Sequence, residues 1–166
     1  MRAYLDNVAA SGRILGDLEV EMKALQEIER AQSSKKVKLV TSRESWREQE
    51  RTRDPERRTR LEASRDEVSA VANDHVVLGF SNVMGPYGTV AANPIVSDVV
   101  DDALFADLKK IGLRDADARH LMYAVVNTCD RFVTLDRDFL DRREALEARC
   151  QTIRIVKPSE LAAELR

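Results

Sequence analysis

Residues 112–140 constrain this chain more than any other stretch, because they put a helix, a turn and a short buried strand in immediate succession. Ala118, Leu121, Met122, Val125 and Cys129 fall at helical spacing and make one apolar face. Asp115 stands ahead of that face as a candidate N-cap, its carboxylate able to accept from an unpaired first-turn N–H. Asp117 lies in the first turn, beside the face rather than on it. Phe132, Val133, Thr134 and Leu135 then form a β-favouring run, and Asp136 and Asp138 follow at once. A helix that feeds a strand through a short turn is half of a parallel-sheet repeat. Ligands of open α/β sheets bind beyond the carboxyl ends of the strands, so acids at those ends are where chemistry is to be sought.

Two other strands end near acids. Ala3, Tyr4 and Leu5 form a minimal first strand closed by Asp6. Residues 37–41 form a second, after which Ser42 is a candidate N-cap and Glu44 falls in the first turn of a charged helix. Between them, residues 15–31 read as a helix whose apolar face is Leu18, Met22, Leu25 and Ile28. Asp54 and Pro55 break the charged helix, and another is expected over 56–71. Val76, Val77 and Leu78 are a candidate strand. Residues 79–94, punctuated by Gly79, Gly85, Pro86, Gly88 and Pro94, read as a long loop or lid. Helices are expected over 99–111, with Val100, Leu104 and Leu108 in phase, and over 142–149. A last strand at 153–156 leads to a C-terminal helix opened by Pro158, Ser159 and Glu160. The 166 residues suit one α/β domain, with 55–94 as its variable helical and loop region.

Charge narrows the partners. The chain is 34% charged with a formal net charge of -2, so it carries no overall basic field for nucleic acid. Residues 35–65 nevertheless hold eleven Lys/Arg against six Asp/Glu. Arg43, Arg47 and Arg51 share one helix face beside Glu44, where a phosphate backbone could run. The interleaved Glu44, Glu48 and Glu50 equally suit a salt-bridged solvent face. Cys129 and Cys150 suggest neither a disulfide framework nor a zinc site. No apolar run approaches the roughly 18 residues of a membrane span, and no signal-peptide core follows Met1, so a soluble, cytoplasmic protein is expected.

If the strands ending at Leu5, Thr41 and Leu135 are neighbours, then Asp6, Glu44, Asp117 and Asp136 meet in one pocket. Like charges packed together need raised pKa values or a bound cation. Only two histidines exist, His75 and His120, so hard oxygen ligands for Mg²⁺ or Mn²⁺ are the expectation. Such a site favours phosphodiester hydrolysis, the metal polarising a phosphoryl oxygen and acidifying the attacking water. His120 itself reads as a partly buried helix residue without a catalytic part.

Four motifs in order resemble the PIN domains. They are Tyr4-Leu5-Asp6-Asn7, the acid in Ser42-Arg43-Glu44, the run from Asp115 through Asp117 to Leu121, and Val133-Thr134-Leu135-Asp136 continuing through Asp138 to Phe139. PIN domains are metal-dependent ribonucleases, and the VapC-type toxins of bacterial toxin–antitoxin pairs form a large group of them. The resemblance covers nearly the whole chain and implies a three-layer α/β/α fold with a central, mostly parallel sheet. It implies an Mg²⁺- or Mn²⁺-dependent endoribonuclease whose catalytic and metal-binding acids are Asp6, Glu44, Asp117 and Asp136. Asp138 competes with Asp136 or adds a ligand, and Asp115 competes with Asp117. Thr134 supports the site, Asn7 touches substrate or metal-bound water, and Arg43 and Arg47 are placed to meet RNA. A small antitoxin protein and a second copy of the chain are the implied protein partners. The competing reading is a PIN scaffold used as a non-catalytic binding or assembly module. A phosphatase is disfavoured because the first strand ends Asp6-Asn7-Val8 rather than in an Asp-x-Asp.

Overall fold

The computed structural model describes residues 1–6, 18–42, 45, 69–70, 79–84, 90–95 and 99–166, with the backbone alone at 18, 69–70, 79–84 and 90–95. The elements run β1 (Arg2–Leu5), α1 (Leu18–Ser33), β2 (Lys38–Thr41), β3 (Ser69–Ala70), β4 (Gly79–Met84) and β5 (Val90–Ile95). They continue α2 (Asp102–Ile111), α3 (Asp115–Val126), β6 (Arg131–Val133), α4 (Arg137–Leu140), α5 (Arg143–Cys150), β7 (Arg154–Val156) and α6 (Pro158–Leu165). One sheet has the order β3-β2-β1-β6-β7, and every neighbouring pair in it is parallel.

Side-chain alternation builds the three layers. Register places Tyr4 beside Val40 and Phe132, and Phe132 beside Ile155, so these four form a row across one face. That row packs on Leu104 and Leu108 of α2, Ala118, Leu121 and Met122 of α3, and Leu146 of α5. Ala3, Leu5, Leu39, Val133 and Val156 point to the other face and meet Ala24 and Ile28 of α1 with Leu161 and Ala162 of α6. A strand buried on both faces reads as a continuous apolar run, which is why such short segments are recognisable at all. The result is the expected α/β/α sandwich on a central parallel sheet.

Several expectations need correction. The buried face of α1 is Glu21, Ala24, Ile28 and Ala31, whereas Met22 is exposed and Leu25 only half-buried. An acid can join that face because Glu21 accepts from the Ser159 backbone N–H at 2.9 Å and its hydroxyl at 2.7 Å. Glu21 thereby caps the first turn of α6 from another helix. Ser69–Ala70 is strand paired with β2, not the end of a helix reaching residue 71. Residues 79–94 are not one long loop: β4 and β5 form an antiparallel two-stranded sheet of their own, with Gly79 opposite Ile95. Gly79 and Pro94 stand within its paired strands. Asp115 does not cap α3. The N-cap is Arg114, without a side-chain cap bond, and Asp115 is the first helical residue, ion-paired with Lys109 of α2. The expectations at 7–17, 43–44, 46–68, 71–78, 85–89 and 96–98 lie outside the described residues, among them Asn7, Arg43, Glu44 and Arg47.

The turn between α2 and α3 depends on Gly112, whose φ of 109° lies where L side chains are strained. Its N–H donates to Lys109 at 3.0 Å and Leu113 N–H reaches back to Leu108 at 3.2 Å, closing the helix end. A Cβ there would also come 3.0 Å from Arg142 Nε. Gly112→Ala is therefore expected to cost about 1–2 kcal/mol, read as a lowered urea midpoint at unchanged m; an unshifted midpoint would contradict this account of the turn.

Candidate functional site

Parallel pairing brings the carboxyl ends of β1, β2, β6 and β7 to one rim, and two backbone bonds extend the ladder past the strands. Asp6 N–H donates to Val133 at 3.0 Å, and Thr134 N–H to Val156 at 3.0 Å. Thr134, fully buried, ties two acids together there. Its hydroxyl donates to Asp6 Oδ2 at 2.7 Å and accepts from Asp136 N–H at 3.1 Å. Asp6 is itself only 3% exposed. Asp136 is the N-cap of α4, its Oδ1 accepting from Asp138 N–H at 2.8 Å. Asp6, Thr134 and Asp136 thus lie on the same rim.

Asp117 reaches this rim from the first turn of α3, and a group not foreseen joins it to the others. Arg114 Nε donates to Asp117 Oδ2 at 3.0 Å, while its Nη2 lies 3.7 Å from Asp136 Oδ2 and 3.4 Å from Asp138 Oδ2. Asp138 also meets Arg142, at 3.2 Å. Burial holds the Asp117 carboxyl above the ordinary aspartate value despite the pull of Arg114. The Asp117 carboxylate, first among the three acids around it, holds the Arg114 guanidinium above its usual value. Burial therefore outweighs the ion pair at Asp117, which is the less exposed partner, 14% against 71% for the side chains. The Arg114–Asp117 spacing of three was the signal available in the sequence.

This geometry overturns the expected Mg²⁺ or Mn²⁺ centre. Among the described residues, no group of three or more His, Cys, Asp or Glu side chains is placed to hold a metal ion. The physical reason is visible in the partners. One Asp6 oxygen is taken by Thr134, one Asp136 oxygen caps α4, and Asp117, Asp136 and Asp138 gather round a guanidinium. A planar fork holds carboxylates apart at ion-pair distance, far wider than the roughly 2.0–2.1 Å oxygen shell that Mg²⁺ demands. Asp138 is thus a partner of Arg114 and Arg142, and Asp136 in part a helix cap.

Beneath the rim is a second feature that sequence reasoning missed. Tyr4 OH lies 2.7 Å from both Ser42 Oγ and His120 Nδ1, and those two are 3.4 Å apart. All three residues are at most 1% exposed, so His120 is a member of the core, not a partly buried bystander. Burial, the largest influence, raises the Tyr4 phenol well above its ordinary value, leaving it protonated at ordinary pH. Thr41 adds a further hydroxyl, 3.1 Å from the Leu5 carbonyl and 2.8 Å from Ser45 Oγ. No local sequence signal joins positions 4, 42 and 120. The packing of α3 on the sheet does so.

The basic segment is divided. Lys35, Lys36 and Lys38 are exposed at the amino end of β2, opposite the acid rim. The arginines from Arg43 to Arg65 lie outside the described residues. No helix among the described residues is long and apolar enough to cross a membrane. The small α/β/α fold on a parallel sheet is compatible with the general PIN-like architecture, and hence with an enzyme of that superfamily. Comparison of the chain with protein-family models, with curated proteins and with solved structures finds no match.

Proposed function

We propose that this chain is a PIN-like hydrolase of RNA phosphodiester bonds, with the rim of Asp6, Thr134, Asp136 and Asp117 as its working edge. The single observation that carries the reading is the Thr134 hydroxyl bridging Asp6 and Asp136 at the ends of β1 and β6, where open α/β sheets place their ligands. Glu44 is the fourth acid of the proposed set, and Asn7, Arg43 and Arg47 its proposed substrate contacts. Asp117 has the property a proton acceptor needs, a carboxyl pushed upward by burial. Arg114, still largely exposed, offers a fork that can meet a phosphate oxygen beside it. A small antitoxin protein and a second copy of the chain remain proposed partners, to be sought by co-purification and light scattering.

Cleavage of labelled RNA by the full chain tests the reading. Asp6→Asn, which keeps the shape of the side chain facing Thr134, is expected to leave RNA intact at protein concentrations where the wild type degrades it. Equal cleavage by both proteins removes Asp6 from the chemistry.

A second reading, a non-catalytic binding or assembly module, is favoured by a specific observation: three rim acids are occupied by Arg114. It predicts RNA or protein binding without turnover, and binding that Asp6→Asn leaves unchanged.

A further inference from the structure

We propose that Tyr4, Ser42 and His120 are the positioning residues of the acid rim, a buried trio that sets the spacing of β1, the end of β2 and α3. The proposal rests on reading that rim as the working site. Each member stands beside one acid in the chain: Tyr4 is two residues before Asp6, Ser42 two before Glu44, and His120 three after Asp117. The three belong to β1, to the segment leaving β2, and to α3. Helix α3 sits on the face of the sheet that carries Tyr4, and the trio ties it to β1 and the β2 end through buried polar contacts, beneath the exposed Arg114 ion pairs at its first turn.

The bonds permit little freedom. A phenol has a single proton, so of its two contacts at 2.7 Å one must be given and the other received. All three residues are at most 1% exposed, so bulk solvent does not reach the trio in the folded state. Sliding α3 or the β2 end relative to β1 strands a buried polar group, a cost apolar packing does not impose. The phenol ring cannot follow such a slide. It stacks on Phe132 at 5.3 Å and 6°, and meets the His120 ring edge-on at 6.0 Å and 65°. Phenylalanine at position 4 would fill the same space, so what the hydroxyl adds is spacing rather than bulk.

Tyr4→Phe in the full-length, ¹³C-labelled protein is the test. The carboxyl resonances of Asp6 and Asp117 are expected to move, and RNA turnover to fall about tenfold to a hundredfold at unchanged KM, as a small displacement of reacting groups would produce. Glu21→Gln, on the opposite face of the sheet, supplies the control. It removes one of the two acceptor oxygens that hold the first turn of α6 and so loses stability, yet should leave both resonances and turnover as in the wild type. His120→Asn, which returns a polar atom near the Nδ1 position, should lie closer to wild type than His120→Leu on both readouts. The proposal is overturned if Tyr4→Phe leaves both carboxyl resonances in place, or if Glu21→Gln moves them as far. Should the wild type fail to cut RNA, the working-site reading falls, and the carboxyl resonances still decide whether the trio positions the acids.

Discussion

Asp117→Asn is expected to lower RNA cleavage by about 100-fold or more, while stability at neutral pH stays level with the wild type or rises above it. The two halves have one cause. Burial is the largest influence on the Asp117 carboxyl and holds it above the ordinary aspartate value, against the pull of Arg114. A native state that grips a proton more tightly than the unfolded chain loses stability as pH rises from the unfolded value through the native one, and stays at the lower level beyond it. An amide at 117 does not titrate and escapes that decline. The ion pair it forfeits has a largely exposed partner, so solvent screening leaves that loss small. Urea midpoints from acidic to neutral pH should therefore show the variant gaining on the wild type across the carboxyl range and running parallel above it. A variant that still cuts RNA removes Asp117 from the chemistry. One that falls behind the wild type as pH rises refutes the electrostatic account.

The largest effect on stability is expected from Phe132→Ala, at about 3–5 kcal/mol. Phe132 is fully buried, lies beside Tyr4 and Ile155 in the sheet, stacks on the Tyr4 ring, and meets Phe139 at 4.8 Å. Its removal opens a cavity between the sheet and α4 and withdraws the surface on which the Tyr4 ring rests. Against a total of about 5–15 kcal/mol for a typical domain, such a loss takes a large share of the folding free energy. Equilibrium urea unfolding measures it. A change below about 1 kcal/mol would mean that neighbouring side chains collapse into the space, contrary to a close-packed row of aromatics.

Most of the sheet was legible because its strands are buried on both faces, and Ala3-Tyr4-Leu5, Leu39-Val40 and Ile155-Val156 stand out from a highly charged chain. The order of acids after those strands was legible for the same reason. What escaped has physical causes. The α1 face was misplaced since hydrophobicity counted Met22 and could not count Glu21, whose burial depends on Ser159 far along the chain. The β4–β5 ribbon was missed because Gly and Pro were taken as signs of loop, although Gly79 and Pro94 stand within its paired strands. Asp115 resembled a cap until Lys109 claimed it. The metal centre was inferred from clustered carboxylates, the scarcity of histidine and the resemblance to PIN domains. Arg114, one residue before the motif, offsets those carboxylates by supplying positive charge from within the chain.

The place of β1 has a consequence for how the chain is made. β1, which precedes the other described strands in the chain, lies mid-sheet, between β2 and β6. One of its edges can be satisfied early, but the other waits until Arg131–Val133 has been translated. Until then a nascent chain carries an open strand edge beside an apolar face, a template for pairing with the wrong neighbour. Assembly of the core is thus a late, long-range event, and a product ending before residue 131 is one for quality control to destroy.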